Sequence, residues 1–370
     1  MTAPVVFVSA GEPSGDAHAA AFVTALREAV PGVRVEGLGG ARMAAAGAEL
    51  MARIEDLTVL GFVEVVAKVP AHARLLRRMR ARFARGDVRL VVLVDYPGFH
   101  LHVAAAARAA GIPVLYYIAP QLWAWGERRV GKLRERVSHL AVILPFEERF
   151  FRERGVAATF VGHPLLDRPP APEAPAARRA LGLDPARPVL GLFPGSRPQE
   201  LQRLWPVFRA AAAGVRALRP EVQVVVAGTA EGEYPGGEGV TVARDRAAEC
   251  FAAADAALCK SGTTTLEAAI ALTPSVIAYR VHPVSFALAR RLATIRWIGL
   301  VNLVAERALV PEFIQGDARP ERLAEALLPL LVPGSPERER QLEGLREVRR
   351  RLGTPGASAR AAAIARSLLG

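Results

Sequence analysis

Short apolar runs rich in β-branched residues alternate with amphipathic stretches along the first half of the chain. The runs at 5–8, 33–37, 90–94, 114–118 and 140–144 are bounded by Gly, Pro or Asp, and a helical pattern fills 17–30. Such runs followed by amphipathic stretches read as βα units on a parallel sheet. Six prolines, at 169, 170, 172, 175, 185 and 188, then interrupt the rhythm, so residues 168–188 are predicted to be an irregular connection. A second series follows with runs at 189–193, 222–227, 240–243, 256–258 and 275–279. The fold class predicted is α/β with two Rossmann-like domains facing each other across a cleft. The first spans 1–167, the second 189–345, and a C-terminal helical segment, 346–370, is free to return to the first.

The length of 370 residues, 51% of them hydrophobic, agrees with two cores of ordinary size. Cys250 and Cys259 form no CxxC pair and join no His/Cys cluster, which argues against a disulfide scaffold or structural zinc. The run at 5–8 has no basic residues before it and is too short for a signal peptide, and no later apolar run reaches membrane-spanning length. A cytoplasmic protein that meets a membrane only at its surface is expected. The net charge of +12 is mostly arginine; it fits nucleic acid, anionic lipid or phosphorylated substrates alike. Asn302 is the only asparagine in the chain.

Four segments carry candidate chemistry. In SAGEPSGDAHA (9–19) a strand enters a glycine-containing loop and a helix starting near Ala17. Gly11 and Gly15 would let backbone approach a ligand there, with Ser14 or Asp16 as a cap. Glu12 stands at the sheet edge where open α/β folds bind ligands. In LVVLVDYPGFH (90–100) Asp95 ends a buried strand at the same edge, as a general base or as a cap before Pro97. In LFPGSRPQE (192–200) the amides around Gly195, with Ser196 and Arg197, suit a diphosphate. In KSGTTTLEAA (260–269) Ser261, Gly262 and Thr263 can hold phosphate, and Glu267 is apt either for ribose hydroxyls or for the first turn of a helix. There is no GxxxxGK[ST] loop and no complete GxGxxG pattern. The seven histidines are scattered, so no metal-dependent chemistry is expected.

In this order these segments resemble the lipid-A-disaccharide synthase family. The likeness extends through GLGGARM (37–43), LGFVEVV (60–66), IAPQLWAWGERRVGKL (118–133), LPFEERFF (144–151), FVGHPLLD (160–167), AYR (278–280) and NLVAERALVPEFIQ (302–315). The resemblance implies a GT-B glycosyltransferase that moves 2,3-diacylglucosamine from its UDP derivative to 2,3-diacylglucosamine 1-phosphate. UDP is released, and no cofactor is needed. It makes Asp95 the base for the acceptor 6-hydroxyl and puts Glu12 in the acceptor site, with Ser14, Gly15, Asp16 and His100 nearby. Arg197 would neutralise the departing diphosphate. Gly195, Ser196, Ser261, Gly262, Thr263 and Glu267 would hold UDP, and Asn302 would complete that site. His100 stands where the family commonly has Asn, and Val301 where it often has Pro. The alternatives are another GT-B enzyme acting on UDP-N-acetylglucosamine, whether a peptidoglycan-type transferase or an epimerase, and a related glycolipid transferase.

Between Arg74 and Arg89 seven arginines face the single acid Asp87, while Leu75, Leu76, Met79 and Phe83 recur at helical spacing. With the apolar run at 59–63, this reads either as a surface for an anionic membrane or as an ordinary core-facing helix. A second candidate runs from 286 to 300. The expected location is the inner face of the cytoplasmic membrane, peripherally attached. No nucleic-acid module accompanies the charge, and the sequence is compatible with a homo-oligomer.

Overall fold

The structure is a computed structural model describing residues 3–54, 65–283, 286, 291 and 295–370, with 65–70 as backbone only. The chain divides into two compact units, one formed by Met1–Asp167 and Leu352–Gly370, the other by Arg168–Arg351.

The first unit is built on a seven-stranded sheet: β1 (Val5–Ala10), β2 (Arg34–Gly39), β3 (Glu49–Arg53), β4 (Val88–Val94), β5 (Val114–Tyr117), β6 (His139–Val142) and β7 (Ala158–Phe160). Their order is β3-β2-β1-β4-β5-β6-β7, and every pair is parallel. All six residues of β1 are buried, as expected when both faces of a parallel sheet are covered. Phe7, Val91 and Leu93 pack on one face with Leu75, Met79 and Phe83 of helix Val65–Phe83. Val6, Val8, Val92 and Val94 pack on the other face with Phe22, Val23 and Leu26 of helix Pro13–Ala29. Ala361, Ala362 and Ala365 of the final helix, Ala357–Leu369, complete that second layer. Burying each of the larger side chains stabilises the fold by about 1.5–3 kcal/mol.

The second unit carries a six-stranded sheet: β8 (Val189–Phe193), β9 (Gln223–Gly228), β10 (Val240–Arg244), β11 (Ala256–Lys260), β12 (Ser275–Tyr279) and β13 (Glu312–Ile314). The order is β10-β9-β8-β11-β12-β13, again parallel throughout.

Three boundaries differ from expectation. Residues 168–188 belong to the second unit and contain helix Ala174–Ala180. Its Ala177, followed by Leu181 and Leu183, enters the core of that unit; Pro175 sits in the first turn, where its missing N–H costs no hydrogen bond. The chain leaves the second unit after Arg351 rather than at 345, because Pro336–Arg351 is one helix. The first helix begins at Pro13, not near Ala17.

Leu75, Met79 and Phe83 are buried, so the apolar stripe of the basic helix faces the core and not a membrane. Arg82 pairs with Glu36 at 2.6 Å and with Asp87 at 2.5 Å, whereas Arg74, Arg77, Arg80, Arg85 and Arg89 are exposed. The apolar run at 59–63, and residues 287–290 and 292–294 of the second candidate, lie outside the described residues. Among the described residues no helix is long and apolar enough to cross a membrane.

Candidate active site

Strand order reverses once in each sheet, between β1 and β4 and between β8 and β11. Open α/β sheets bind ligands outside the C-terminal strand ends at these points. Glu12 follows β1 and Asp95 follows β4; Gly195, Ser196 and Arg197 follow β8, and Ser261, Gly262 and Thr263 follow β11.

In the first unit, Asp95 (φ 52°) and Tyr96 (φ 53°) are consecutive left-handed residues, a conformation costing about 1–3 kcal/mol each at a non-glycine position. The surroundings hold them there. Tyr116 Oη donates to the Asp95 carbonyl at 2.7 Å, and His100 Nδ1 meets the same oxygen at 2.6 Å. A carbonyl only accepts, so His100 carries its proton on Nδ1, and Nε2 accepts from Ser9 Oγ at 2.9 Å. Burial pushes the His100 pKa down to about 4, so the ring is neutral near pH 7. Burial, with the negative charge of Glu12 adding to it, raises the Asp95 carboxyl above its ordinary 3.8, against a backbone N–H from Tyr96 that lowers it. A partly buried acid with raised basicity at the ligand edge is suited to accept a proton. Glu12 itself is exposed.

Other residues of this group have different tasks. Asp16 is buried, and its carboxylate accepts the amides of Gly40 (2.6 Å), Arg42 (3.1 Å) and Met43 (3.2 Å). It therefore caps helix Ala41–Ala45 rather than its own helix or a ligand. His100 has no exposed surface, so it orders the Asp95 backbone and does not reach an acceptor. Gly11 is required by packing and not by a ligand: a Cβ there would lie 2.1 Å from Tyr96 Cδ1. At Gly15 a Cβ would make only ordinary contacts, at 3.6 Å. Ser14 is exposed in the first turn of the helix.

In the second unit, Gly195 has φ 109°, and a Cβ there would lie 2.4 Å from Glu200 Oε2. Ser196 and Arg197 are exposed, the Arg197 side chain at 76%. The loop is organised by two residues that sequence reasoning passed over. Glu200 accepts the Arg197 amide at 3.3 Å and pairs with Lys260 Nζ at 2.7 Å, tying the β8 exit to the end of β11. A lysine in a chain with only three of them was the available signal.

Ser261 Oγ donates to the Ile298 carbonyl at 2.7 Å, Gly262 has φ 130°, and Thr263 is exposed ahead of helix Thr264–Ile270. Glu267 accepts Arg168 Nη1 at 2.5 Å through Oε1. Asn302 corrects an expectation. It is fully buried; its amide donates to the Val310 carbonyl and Glu312 Oε1, both at 2.8 Å. Its oxygen accepts the amides of Leu309 (2.9 Å) and Val310 (2.8 Å). With its donors and acceptor all engaged, Asn302 does not meet a nucleotide. Glu312 in turn accepts the amides of Ile298 (3.0 Å) and Gly299 (2.8 Å), and Ile298 is the residue that Ser261 bonds. Asn302 thus braces, through Glu312 and Ile298, the loop that begins at Ser261.

Comparison of the whole chain with solved structures places it in a known architecture. The calicheamicin glycosyltransferase CalG4 matches with a TM-score of 0.62 at 20% identity, covering 100% of this chain and 99% of that one. Medicago truncatula UGT71G1, solved with UDP-glucose, matches at 0.64 and 14%, covering 100% and 99%. The two parallel sheets define the GT-B glycosyltransferase fold. Residues 6–366 match the family model described as lipid-A-disaccharide synthetase. The lipid-A-disaccharide synthases of Anaeromyxobacter dehalogenans (strain 2CP-1) and Myxococcus xanthus (strain DK1622) are 43% and 42% identical to this chain. They cover 96% and 99% of it, and 95% and 98% of their own lengths are matched. The chain belongs to the lipid-A-disaccharide synthase family and is a glycosyltransferase.

Proposed function

We propose that the protein transfers 2,3-diacylglucosamine from its UDP derivative to the 6-hydroxyl of 2,3-diacylglucosamine 1-phosphate. The observation that carries the mechanism is Asp95, held in a left-handed turn at the strand-order reversal with a raised pKa. The acceptor oxygen bonds to C1 of the donor sugar as the bond from C1 to the diphosphate oxygen breaks, and the hydroxyl proton goes to the Asp95 carboxylate. The electron pair leaves with UDP, whose growing charge Arg197 neutralises together with the loop amides around Gly195 and Ser196. Ser261, Gly262 and Thr263 hold the phosphates, Glu267 takes the ribose hydroxyls, and Glu12 lies on the acceptor side. Neither a metal nor a cofactor enters these steps.

The exposed arginines from Arg74 to Arg89 support peripheral attachment to an anionic membrane, the source of an acylated substrate, each contributing about 1 kcal/mol near the surface. Purified protein given UDP-2,3-diacylglucosamine should release UDP only when the acylated acceptor is added. Equal turnover of UDP-N-acetylglucosamine would instead indicate the transferase or epimerase alternative.

A further inference from the structure

We propose that a groove in the first unit, beside the start of helix Pro97–Ala109, is an anion subsite that takes the phosphomonoester of the acceptor. The proposal rests on the functional reading above. The groove has a volume of about 290 Å³, and one wall is made by Pro97 and Gly98, immediately beyond Tyr96 and Asp95. Gln121 and Leu122 follow the end of β5 and form another part of the lining. The cavity therefore opens at the C-terminal edge of β4 and β5, on the same rim as the proposed base.

Arg129, Lys132 and Arg136 line the groove. Their spacing puts them on one face along helix Val130–Arg136 and the residue before it. Arg129 and Lys132 are exposed, and among the described residues none of the three forms an ion pair. Arg136 Nη1 donates to the Leu101 carbonyl at 3.2 Å, which keeps that guanidinium at the groove. Like charges at these spacings repel, and a dianion seated among them relieves the repulsion. Charge-assisted bonds from Arg and Lys are the usual means of holding phosphate.

The remaining lining suits a sugar that carries acyl chains. Trp125 is 58% exposed, while its neighbours Leu122, Trp123 and Ala124 are buried. Trp123 Nε1 donates at 2.9 Å to Glu147, which also accepts the amides of Ile143 (3.2 Å) and Leu144 (2.9 Å). The short helix Leu122–Trp125 is thus fixed to the end of β6, and the Trp125 ring is presented at the rim without prior rearrangement. Cations on one side and an indole on the other match a phosphorylated, acylated sugar better than a free inorganic anion. A larger surface cavity, about 550 Å³ around Arg27 and Glu28, lies at the other end of helix Pro13–Ala29, away from Glu12 and Asp95.

The test is acceptor kinetics of an Arg129→Gln/Lys132→Gln variant, with 2,3-diacylglucosamine 1-phosphate compared against the same sugar lacking its phosphate. The expected result is an acceptor KM raised about tenfold or more for the phosphorylated sugar, as loss of charge-assisted bonds implies. The donor KM, UDP affinity and thermal midpoint should stay at wild-type values, and the two proteins should handle the dephosphorylated acceptor alike. An equal effect on both acceptors, or on neither, overturns the subsite. Should the double variant unfold, the single Lys132→Gln protein is read the same way, with a smaller shift. Sedimentation with phosphatidylcholine vesicles, with and without phosphatidylglycerol, separates a lipid headgroup from the acceptor phosphate. Loss of vesicle binding with no change in acceptor discrimination overturns the proposal in favour of a membrane contact. Absence of any transfer by the wild-type protein would instead bring down the functional reading itself.

Discussion

The two strand-order reversals are built differently. At the first, the key carboxylate is partly buried, its backbone is held in an unfavourable conformation, and two side chains grip its carbonyl. At the second, the key cation is three-quarters exposed, and the order lies beneath it, in the Glu200–Lys260 pair and the Asn302–Glu312 bracket. The contrast fits the tasks proposed for them. A base needs a tuned pKa and a fixed position, which burial and strain supply. A group that meets a diphosphate gains more from reach and a permanent charge, which arginine keeps even in water.

The contrast can be broken most sharply at Asp95. Asp95→Asn should lower kcat by about a thousandfold, the middle of the range for general base catalysis, with UDP affinity by calorimetry close to wild type. Weakened UDP binding with preserved kcat would reverse the assignment of the two sites. Arg197→Ala should cost about a hundredfold in kcat, in line with removal of one group that stabilises departing charge, and thermal stability should hardly move because the side chain is exposed. Asn302→Ala should act through the fold, leaving four buried or half-buried hydrogen-bonding groups unmatched. A loss of about 2–4 kcal/mol in urea unfolding is expected, and an unfolding midpoint equal to wild type would remove the bracket from the account.

The smallest effect concerns His100. Its folded pKa of about 4 lies below the ordinary 6.5, so the unfolded chain takes up this proton first as pH falls. The stability contributed by the neutral ring is complete above about pH 6.5 and drains away toward pH 4. Replacing it by Asn, which can still donate to the Asp95 carbonyl, should reduce the difference between urea midpoints at pH 7 and pH 5. An unchanged difference would point to other groups.

What could be read from the sequence follows from the range over which each interaction acts. β1 and β4 were visible because strands buried on both faces are continuous apolar runs. Glu49–Arg53, Ala158–Phe160 and Glu312–Ile314 were missed; they are short and lie at or beside sheet edges, with half-buried residues and no such run. The positions of Glu12, Asp95 and Arg197 after β1, β4 and β8 could be read because strand ends at an order reversal are positions that local pattern defines. Asp16 was misjudged because the amides it caps belong to residues 40–43, and Lys260 was passed over because its partner is sixty residues away. The membrane-facing reading of Leu75, Met79 and Phe83 failed because an amphipathic helix shows which positions are apolar, not whether protein or lipid covers them.

The most direct measurement is the pH dependence of kcat/KM for the acceptor, in the wild-type protein and in Asp95→Asn. The reaction needs the ionised carboxylate, so the wild-type rate should fall as pH drops through an apparent pKa above the ordinary carboxyl value of 3.8, and the residual rate of the variant should lack that limb. The same acid limb in both proteins, at comparable rates, would contradict the account.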